Sequence, residues 1–374
     1  MNFEEFAAKP LLAEGGIAVP PSQLVSTPDA AAGAASEIGA CVVKAQVPTG
    51  KRGKAGGIQL AATPEEAKGH ANAILGMEIG GFTVEKLLIE GQVPIAKELY
   101  AAAICDPVTC GLVVLFSHLG GMDVEEAAEQ DPNAMRRLPV DIGKGLDVAK
   151  AASLLDGLDL NGQQDEVAAT LVKLYDVFRS RDAELLEINP LVLTQDKRVV
   201  ALDCKLTVDD SSVPRQAEIA STGTPDPLTD LEAEAAHAGL KYIELGGSVG
   251  VLANGAGLTM TTMDAITHFG GQPSNFLEIG GEAYTKAETA LTILLKNPNI
   301  KALLVNFCGA FARTDVMAGG VVEAWKKINP DIPVFFTIHG TGEDEAVALV
   351  KAELGIEPFD LMDDAVKAAV EAAQ

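Results

Sequence analysis

The segment 187–205 carries oxygen-bearing side chains at a spacing suited to metal-ion chemistry. Two apolar runs flank a polar turn, and this pattern predicts a β-hairpin. With the turn at its centre, Asn189 faces Asp203 and Glu187 faces Lys205. Hard oxygen ligands on adjacent strands form half of an Mg²⁺ site, which nucleotide phosphates complete. The alternative is the polar face of an ordinary hairpin with Glu187 and Lys205 paired, and the hairpin alone slightly favours it.

The segment 44–57 is the clearest candidate for binding phosphate. Its basic residues are Lys44, Lys51, Arg52 and Lys54. Gly53 and three further glycines allow backbone N–H groups to approach an anion closely. The segment lacks the Walker pattern, and a solvated, flexible hairpin tip is the alternative interpretation.

Further candidates lie at the ends of predicted strands. Glu90 could meet a nucleotide base or ribose, and Glu98 could join a metal–phosphate site. The alternative is that Glu90 and Glu98 are exposed carboxylates on strands, and their spacing alone favours this alternative. Asn254 begins a glycine turn before a helix. The N-terminus of this helix could bind an anion, or the turn is only a tight connection. His339 ends an apolar strand and could contact a substrate or act as an acid or base, but a hydrogen-bonded turn residue is the favoured interpretation.

Bulk composition narrows the class of protein. The chain has 374 residues, 48% hydrophobic and 5% aromatic content, and 37 glycines, which is typical of a two-domain α/β protein. A net charge of −25 argues against a nucleic-acid partner. The five cysteines are scattered, the N-terminus is acidic, and no long apolar run is present. We therefore expect a cytoplasmic protein without a membrane span.

The pattern of elements changes along the chain. In the first part, helices are predicted at 2–15, 27–38, 63–75, 142–155 and 162–181, and strands at 41–44, 84–90, 96–104 and 110–117, the last three as an antiparallel meander. The polar, proline-containing segment 206–235 marks a boundary, which gives domains 1–227 and 228–374.

The second domain has a βαβ rhythm. Strands are predicted at 248–253, 274–279, 301–307 and 333–338, and helices near 257–268, 283–296, 315–327, 342–353 and 361–373. This alternation predicts a doubly wound parallel sheet, in which ligands bind beyond the carboxyl ends of the strands.

Together these segments resemble the β subunits of succinyl-CoA synthetase, the ADP-forming acid–CoA ligases, including malate–CoA ligase-like members. The resemblance runs nearly end to end and includes the segments 43–46, 51–57, 95–100, 120–123, 186–191, 202–205, 254–258, 275–281 and 305–315. It implies an ATP-grasp domain followed by a flavodoxin-like domain. It also implies Mg²⁺ as cofactor, ATP and CoA as substrates, and a hetero-oligomer with an α subunit that carries a phosphorylated histidine and most of the CoA site.

The resemblance assigns roles to individual residues. Lys44, Arg52, Gly53, Glu90 and Glu98 match nucleotide-site positions, and the basic loop adds Lys51 as a further candidate. Asn189 and Asp203 match the Mg²⁺ ligands, and Glu187 matches the carboxylate that orients the phosphohistidine. Ala310, Phe311 and Ala312 occupy positions that meet the acid. Asn254 and His339 are further substrate candidates because of their places at strand ends.

This chain departs from the family pattern in its second domain. Gly309–Asp315 replaces Gly-Gly-Ile-Val-Arg-Cys-Asp, Glu282 enters the glycine turn at 280–283, and Thr337–Thr341 replaces Arg-x-Glu-Gly-Asn. We therefore expect the substrate to be a short acid other than succinate, or not only succinate, such as malate or another substituted or sulfonated acid.

Two alternative functions are a nucleotide-binding regulatory subunit without ligase activity and a standalone ATP-grasp ligase. Val19–Pro21 resembles ATP-using members.

Overall fold

The chain folds into two units, residues 1–226 and 227–374, called here the first and second unit. A computed structural model describes residues 1–122, 129, 131, 133–225, 227–279 and 286–374. The predicted boundary between residues 227 and 228 lies beside this division.

The described strands of the first unit form three antiparallel sheets. The strands are β1 (Asn2–Phe3), β2 (Ser22–Val25), β3 (Cys41–Gln46), β4 (Ile58–Ala61), β5 (Glu78–Ile79), β6 (Phe82–Thr83), β7 (Lys86–Gly91), β8 (Ile95–Asp106), β9 (Gly111–Ser117), β10 (Met135–Val140), β11 (Ala183–Thr194), β12 (Val199–Ala201) and β13 (Lys205–Val208). The seven-stranded sheet has the order β1-β13-β11-β8-β9-β10, with β12 beside β11. The four-stranded sheet has the order β2-β7-β3-β4, and β5 pairs with β6.

The predicted meander is wrong at its first strand. The segment 84–90 contains most of β7, which pairs with β2 and β3 rather than with β8. Val43 and Ile89 are register partners and both are fully buried in the core of this smaller sheet. The meander of the larger sheet is β8-β9-β10, and its last strand was not predicted. Local alternation identifies a strand but not its partners, which long-range burial selects.

The described α-helices of the first unit are α1 (Glu5–Glu14), α2 (Pro28–Ile38), α3 (Pro64–Ile74), α4 (Val148–Ser153), α5 (Gln164–Ser180) and α6 (Ala217–Ala220). Three of them begin at a side-chain cap, whereas α1, α5 and α6 have none. Thr27 and Thr63 cap α2 and α3 with their side chains, and each is followed by a proline. The helix predicted at 142–155 begins later because Asp147 caps it by accepting a hydrogen bond from the Lys150 amide.

The hairpin prediction is confirmed, including its register. Glu187 faces Lys205 and Leu191 faces Ala201. Between these pairs the returning chain leaves regular strand geometry at 202–204, while the Leu202 amide still donates to the Pro190 carbonyl, 3.1 Å away. The irregular segment therefore carries Asp203 opposite Asn189.

The second unit is a five-stranded sheet with helices on both faces. Its strands are β14 (Lys241–Glu244), β15 (Val249–Ala253), β16 (Asn275–Glu278), β17 (Ala302–Gly309) and β18 (Val334–Gly340), in the order β14-β16-β15-β17-β18. Its helices are α7 (Asp230–His237), α8 (Ala256–His268), α9 (Ala287–Leu295), α10 (Thr314–Ile328), α11 (Glu343–Leu354) and α12 (Met362–Ala372). The neighbours β16, β15, β17 and β18 run parallel, as predicted, but β14 is an unpredicted antiparallel edge strand.

The alternation along β17 explains the two-sided packing. Val305 and Phe307 belong to the core that contains Leu291 of α9, whereas Leu304 belongs to the core that contains Ile266 of α8. Successive side chains point to opposite faces, so one apolar strand supplies both cores. The doubly wound architecture is confirmed.

Candidate functional site

A cavity of about 930 Å³ in the first unit brings together most of the residues predicted for nucleotide and metal binding. The predicted residues that line it are Lys44, Lys51, Arg52, Gly53, Glu90, Glu187, Asn189 and Asp203. They come from β3, the loop after it, the end of β7 and the 187–205 hairpin. Three separate segments of the chain therefore meet at one concave surface.

Glu98 is the exception among these predicted residues. It is exposed on β8 and does not line the cavity. A β-carbon placed on Gly121 would lie 2.0 Å from a Glu98 carboxylate oxygen, so this carboxylate lies directly over Gly121, which does line the cavity. Glu98 thus lies beside the cavity. Its exposure agrees with the alternative interpretation, in which Glu98 is an exposed carboxylate on a strand.

Lys44 and Arg52 are buried cations on the cavity wall, with exposed fractions of 6% and 7%. The Lys44 ammonium donates to Glu90 at 2.7 Å and to the Leu202 carbonyl at 2.5 Å. The Arg52 guanidinium donates to both carboxylate oxygens of Asp203, at 2.7 and 2.8 Å. Arg52 therefore does not belong to a solvated loop tip.

The exposed part of the loop behaves differently. Lys51 and Gly53 are both exposed, and both line the cavity. Gly57 closes the loop, and a β-carbon there would lie 2.7 Å from the Ile79 Cδ1 atom. The glycine is therefore required for close packing, while the residues before it stay accessible to an anion.

Glu90 contradicts the prediction of an exposed strand carboxylate. Its exposed fraction is 1%, and it accepts hydrogen bonds from Lys44 and Lys9. Its strand ends at the cavity, and its charge is needed there because a buried ammonium group requires an anionic partner.

Sequence reasoning missed two charged residues of this cluster, Glu5 and Lys9 of α1. Both are buried, and the Glu5 carboxylate contacts Lys9 at 2.8 Å, Lys44 at 2.9 Å and Arg52 at 2.8 Å. In the sequence they are an i,i+4 pair of opposite charge, a pattern typical of an exposed helix face. The missing information was the sheet that covers this face of the helix.

Each group of this cluster stays ionised because a neighbour of opposite charge offsets the effect of burial on its pKa. Burial by itself would raise the pKa of Glu5, but Lys44, Lys9 and Arg52 outweigh burial and hold the pKa well below its ordinary value. Burial would lower the pKa of Lys44, but Glu5 and Glu90 raise it above its ordinary value. Asp203 and Glu5 likewise outweigh burial and raise the pKa of Arg52. The two cations on the cavity wall therefore stay positive at neutral pH.

Asn189 and Asp203 suit a magnesium ion that is bound mainly through a nucleotide. The Asn189 Oδ1 atom accepts from the Gly121 amide at 2.8 Å, which orients the side chain and leaves a second lone pair. Asp203 keeps additional acceptor capacity beside Arg52. Within the described residues, no three His, Cys, Asp or Glu side chains converge as a metal site. Mg²⁺ commonly takes one or two protein oxygens plus phosphates and water, so the two residues fit it.

Glu187 is half-buried and lies on the wall of the same cavity. The Tyr100 hydroxyl donates to its carboxylate at 3.1 Å. Tyr100 was not predicted, and it restricts the orientation of the carboxylate. Lys205, the register partner of Glu187, also lines the cavity.

The predicted acid-site residues of the second unit lie at the carboxyl ends of its parallel strands. Asn254 follows β15 and bridges to β17, because its amide donates to the Cys308 carbonyl and accepts from the Cys308 amide, both at 2.8 Å. The Ala310 carbonyl accepts from the Thr341 hydroxyl at 2.8 Å. Ala312 packs against the core, whereas the Phe311 side chain is fully exposed.

His339 lies at the end of β18 and is a register partner of Cys308. Its Nδ1 atom is 3.3 Å from a Glu343 carboxylate oxygen, and its Nε2 atom is 3.4 Å from the Thr337 hydroxyl. These contacts agree with the favoured interpretation of a hydrogen-bonded turn residue. The glycine turn at 280–283, including Glu282, lies outside the described residues.

Comparisons with known proteins agree with the two-unit architecture. Residues 2–193 match the family model described as an ATP-grasp domain, and residues 252–370 match the CoA-ligase model. The chain is 41% identical over 379 residues to the "Succinate--CoA ligase [ADP-forming] subunit beta" of Rubrobacter xylanophilus, covering 100% of this chain and 99% of that protein. It is 41% identical over 357 residues to the "Succinate--CoA ligase [GDP-forming] subunit beta" of Thermus thermophilus, covering 94% of each.

A solved structure has the same fold over the whole length. The ATP citrate lyase of Methanothrix soehngenii, in complex with citrate and coenzyme A, matches with a TM-score of 0.71 and 25% identity, covering 99% of both chains. Among the described residues, no helix is long and apolar enough to cross a bilayer. With an ATP-grasp domain, a CoA-ligase domain and full-length relatives at 41% identity, the chain belongs to the family of succinate–CoA ligase β subunits.

Proposed function

We propose that this chain is the β-type subunit of an ADP-forming acid–CoA ligase, with residues 1–227 as its nucleotide-binding domain and 228–374 as its CoA-ligase domain. The observation that carries the proposal is the cavity in which the cations Lys44 and Arg52 lie beside the oxygen ligands Asn189 and Asp203. Phosphoryl transfer needs positioned cations and a metal ion far more than it needs acid–base chemistry.

In the proposed reaction, Lys44, Lys51 and Arg52 bind the phosphates of ATP. Asn189 and Asp203 hold Mg²⁺, which neutralises charge on the phosphate oxygens. The terminal P–O bond of ATP breaks, ADP leaves, and a P–N bond forms on a histidine of a separate α-type subunit, which Glu187 orients. The phosphoryl group then passes to a carboxylate, and the CoA thiol displaces inorganic phosphate to form the thioester.

We propose ATP as the nucleotide, on the basis of Val19–Pro21. Relatives with similar identity carry names that specify either ADP-forming or GDP-forming enzymes, so overall identity does not separate the two nucleotides. Competition between ATP and GTP for binding to the chain tests this choice directly.

The proposed acid is a short carboxylic acid other than succinate, or in addition to it, such as malate or a sulfonated analogue. Support comes from the carboxyl edge of the second unit, where this chain departs from the family pattern. Phe311 is fully exposed, and His339 and Thr341 replace a carboxylate and an amide. A changed set of polar groups at an acid-binding edge changes which substituent is accepted, because an unpaired polar group there is unfavourable.

The direct experiment is to measure ADP release by this chain co-expressed with an α-type partner, in the presence of ATP, Mg²⁺ and CoA. Succinate, malate and a panel of substituted and sulfonated short acids would be compared. ADP release that depends on an acid supports the proposal. A stable complex that binds ATP but releases no ADP with any acid would instead indicate a regulatory subunit.

A graft tests the acid specificity separately. Residues 309–312 would be replaced by the family sequence Gly-Gly-Ile-Val, and the acid panel would be repeated. We expect the preference to shift towards succinate while ATP binding is unchanged. Equal relative rates for the wild type and the graft across the panel would rule out this loop as the specificity determinant.

A further inference from the structure

We propose that Glu5 and Lys9 of α1 are positioning residues for the nucleotide site. Glu5 lines the cavity without belonging to the loop or the hairpin, and Lys9 contacts Glu5. The inference rests on the proposed function, because it concerns how that cavity holds Mg²⁺ and ATP. Neither residue was a candidate from the sequence, and both are almost completely buried, with exposed fractions of 2% and 3%.

The Glu5 carboxylate joins the two cations of the cavity wall. One oxygen lies 2.9 Å from the Lys44 ammonium and 2.8 Å from the Lys9 ammonium, and the other oxygen lies 2.8 Å from the Arg52 guanidinium. Lys44 is on β3, and Arg52 is in the loop that follows. A single carboxylate therefore fixes the separation of two cations on different segments.

Lys9 anchors the backbone next to the predicted metal ligand. Its ammonium donates to the Leu202 carbonyl at 2.8 Å, and the Lys44 ammonium donates to the same carbonyl. Leu202 precedes Asp203 in the segment where the hairpin leaves regular strand geometry. Helix α1 thereby holds the Asp203 segment and, through Glu5, the Arg52 side chain that contacts Asp203.

The charges of this cluster are balanced. Lys9, Lys44 and Arg52 are opposed by Glu5, Glu90 and Asp203. Long cationic side chains have many rotamers, and anchoring them in advance removes the ordering that phosphate binding would otherwise require. Preorganised charges also stabilise a developing negative charge without reorganisation during the reaction. The cluster therefore has a function for nucleotide binding beyond holding α1 in place.

The test needs variants that keep the charge balance, because loss of Glu5 alone adds positive charge and could attract ATP. Glu5→Asp retains the charge, but the side chain is too short to contact Lys44 and Arg52 together. Glu5→Gln combined with Lys9→Met removes one charge of each sign. Glu4→Gln combined with Lys86→Met is the matched control, since Glu4 is also buried and pairs with Lys86 at 3.2 Å, so this variant likewise removes one charge of each sign.

Calorimetry would measure the Kd for ATP, with Mg²⁺ in excess, on the full chain, and the melting temperature would be recorded for each variant. We expect Glu5→Asp and the double variant to raise the Kd by about tenfold or more, because small displacements of positioned groups have large effects. The Glu4→Gln, Lys86→Met control should stay within about twofold of the wild type. The double variant should melt near the control, since its cluster remains neutral.

Wild-type affinity in both charge-balanced variants would overturn the inference and leave the proposed function intact. A weaker apparent affinity that only follows the unfolded fraction at the assay temperature would also overturn it, because that result indicates a structural role. A wild-type chain that binds no ATP would instead overturn the proposed function, and the inference with it.

Discussion

Asp203 is the residue at which the proposed phosphate-binding and metal-binding parts of the cavity meet. It accepts two hydrogen bonds from Arg52, and it faces Asn189 across the hairpin. Its carboxylate therefore neutralises a buried guanidinium and offers a hard oxygen ligand.

We predict that Asp203→Asn raises the Mg²⁺ concentration needed for half-maximal ATP binding by about tenfold or more. The amide is a weaker ligand for Mg²⁺, and it leaves Arg52 with one fewer anionic partner. Titration of Mg²⁺ at fixed ATP, followed by calorimetry, provides the measurement. Asp196→Asn is the control, because Asp196 pairs with Arg198 at the exposed turn of the same hairpin. An unchanged Mg²⁺ requirement in Asp203→Asn would show that this residue is not a ligand.

Residue-level prediction succeeded where local spacing carries the information. The facing of Glu187 and Lys205 follows from turn position and strand alternation, both of which are local. The partners of Glu90 do not follow from local spacing, because Lys9 and Lys44 reach it from distant parts of the chain.

At the scale of elements, the ends of β17 and β18 shape the predicted acid edge. Gly340 has a φ of +104°, and a β-carbon there would lie 1.9 Å from the Gly309 carbonyl oxygen. The same carbonyl accepts from the Thr341 amide at 2.9 Å. The close approach of these two backbones fixes where the loop that carries Phe311 begins.

We predict that Gly340→Ala destabilises the protein by about 1–3 kcal/mol more than Gly355→Ala does. Both glycines have a positive φ, but the +68° of Gly355 lies in the left-handed region that other residues can adopt, whereas the +104° of Gly340 lies beyond it, so backbone strain adds to the loss at Gly340. Only Gly340 has a neighbouring atom in the way, since nothing lies within 4 Å of a β-carbon on Gly355. Urea unfolding of both variants gives the comparison. Equal losses would show that the strand ends move apart readily.

At the scale of the whole molecule, an excess of acidic residues coexists with a buried cluster of cations. The net charge is −25, yet Lys44 and Arg52 stay positive on a cavity wall because their partners are carboxylates of the same fold. Buried cations on a cavity wall are therefore compatible with a strongly acidic chain, because the field at a site is set mainly by the charges beside it.

The charged cluster around Glu5 predicts how the free energy of unfolding falls at acidic pH. The folded-state pKa of Glu5 lies well below its ordinary value of 4.5, so its stabilisation is fully present above that value and is lost as the pH falls through the folded-state pKa. Below about pH 4.5 the unfolded chain binds a proton that the folded chain does not, which lowers the free energy of unfolding by about 1.4 kcal/mol per pH unit. Urea unfolding at successive pH values should give a steeper slope for the wild type than for the Glu5→Gln, Lys9→Met variant. Parallel slopes would contradict this assignment.

The sequence by itself determined the doubly wound second unit, the hairpin with its register, and the loop that supplies Arg52. Each of these depends on periodicity, turn residues or local charge, which act over a few residues. Only the tertiary structure decided that β7 joins the smaller sheet, that β14 forms an antiparallel edge, and that Glu5 and Lys9 are buried in the charged cluster at the cavity wall. The physical reason is that burial and charge pairing are properties of the space between distant segments. A Glu and a Lys four residues apart have the same sequence pattern on an exposed helix face and inside a buried cluster.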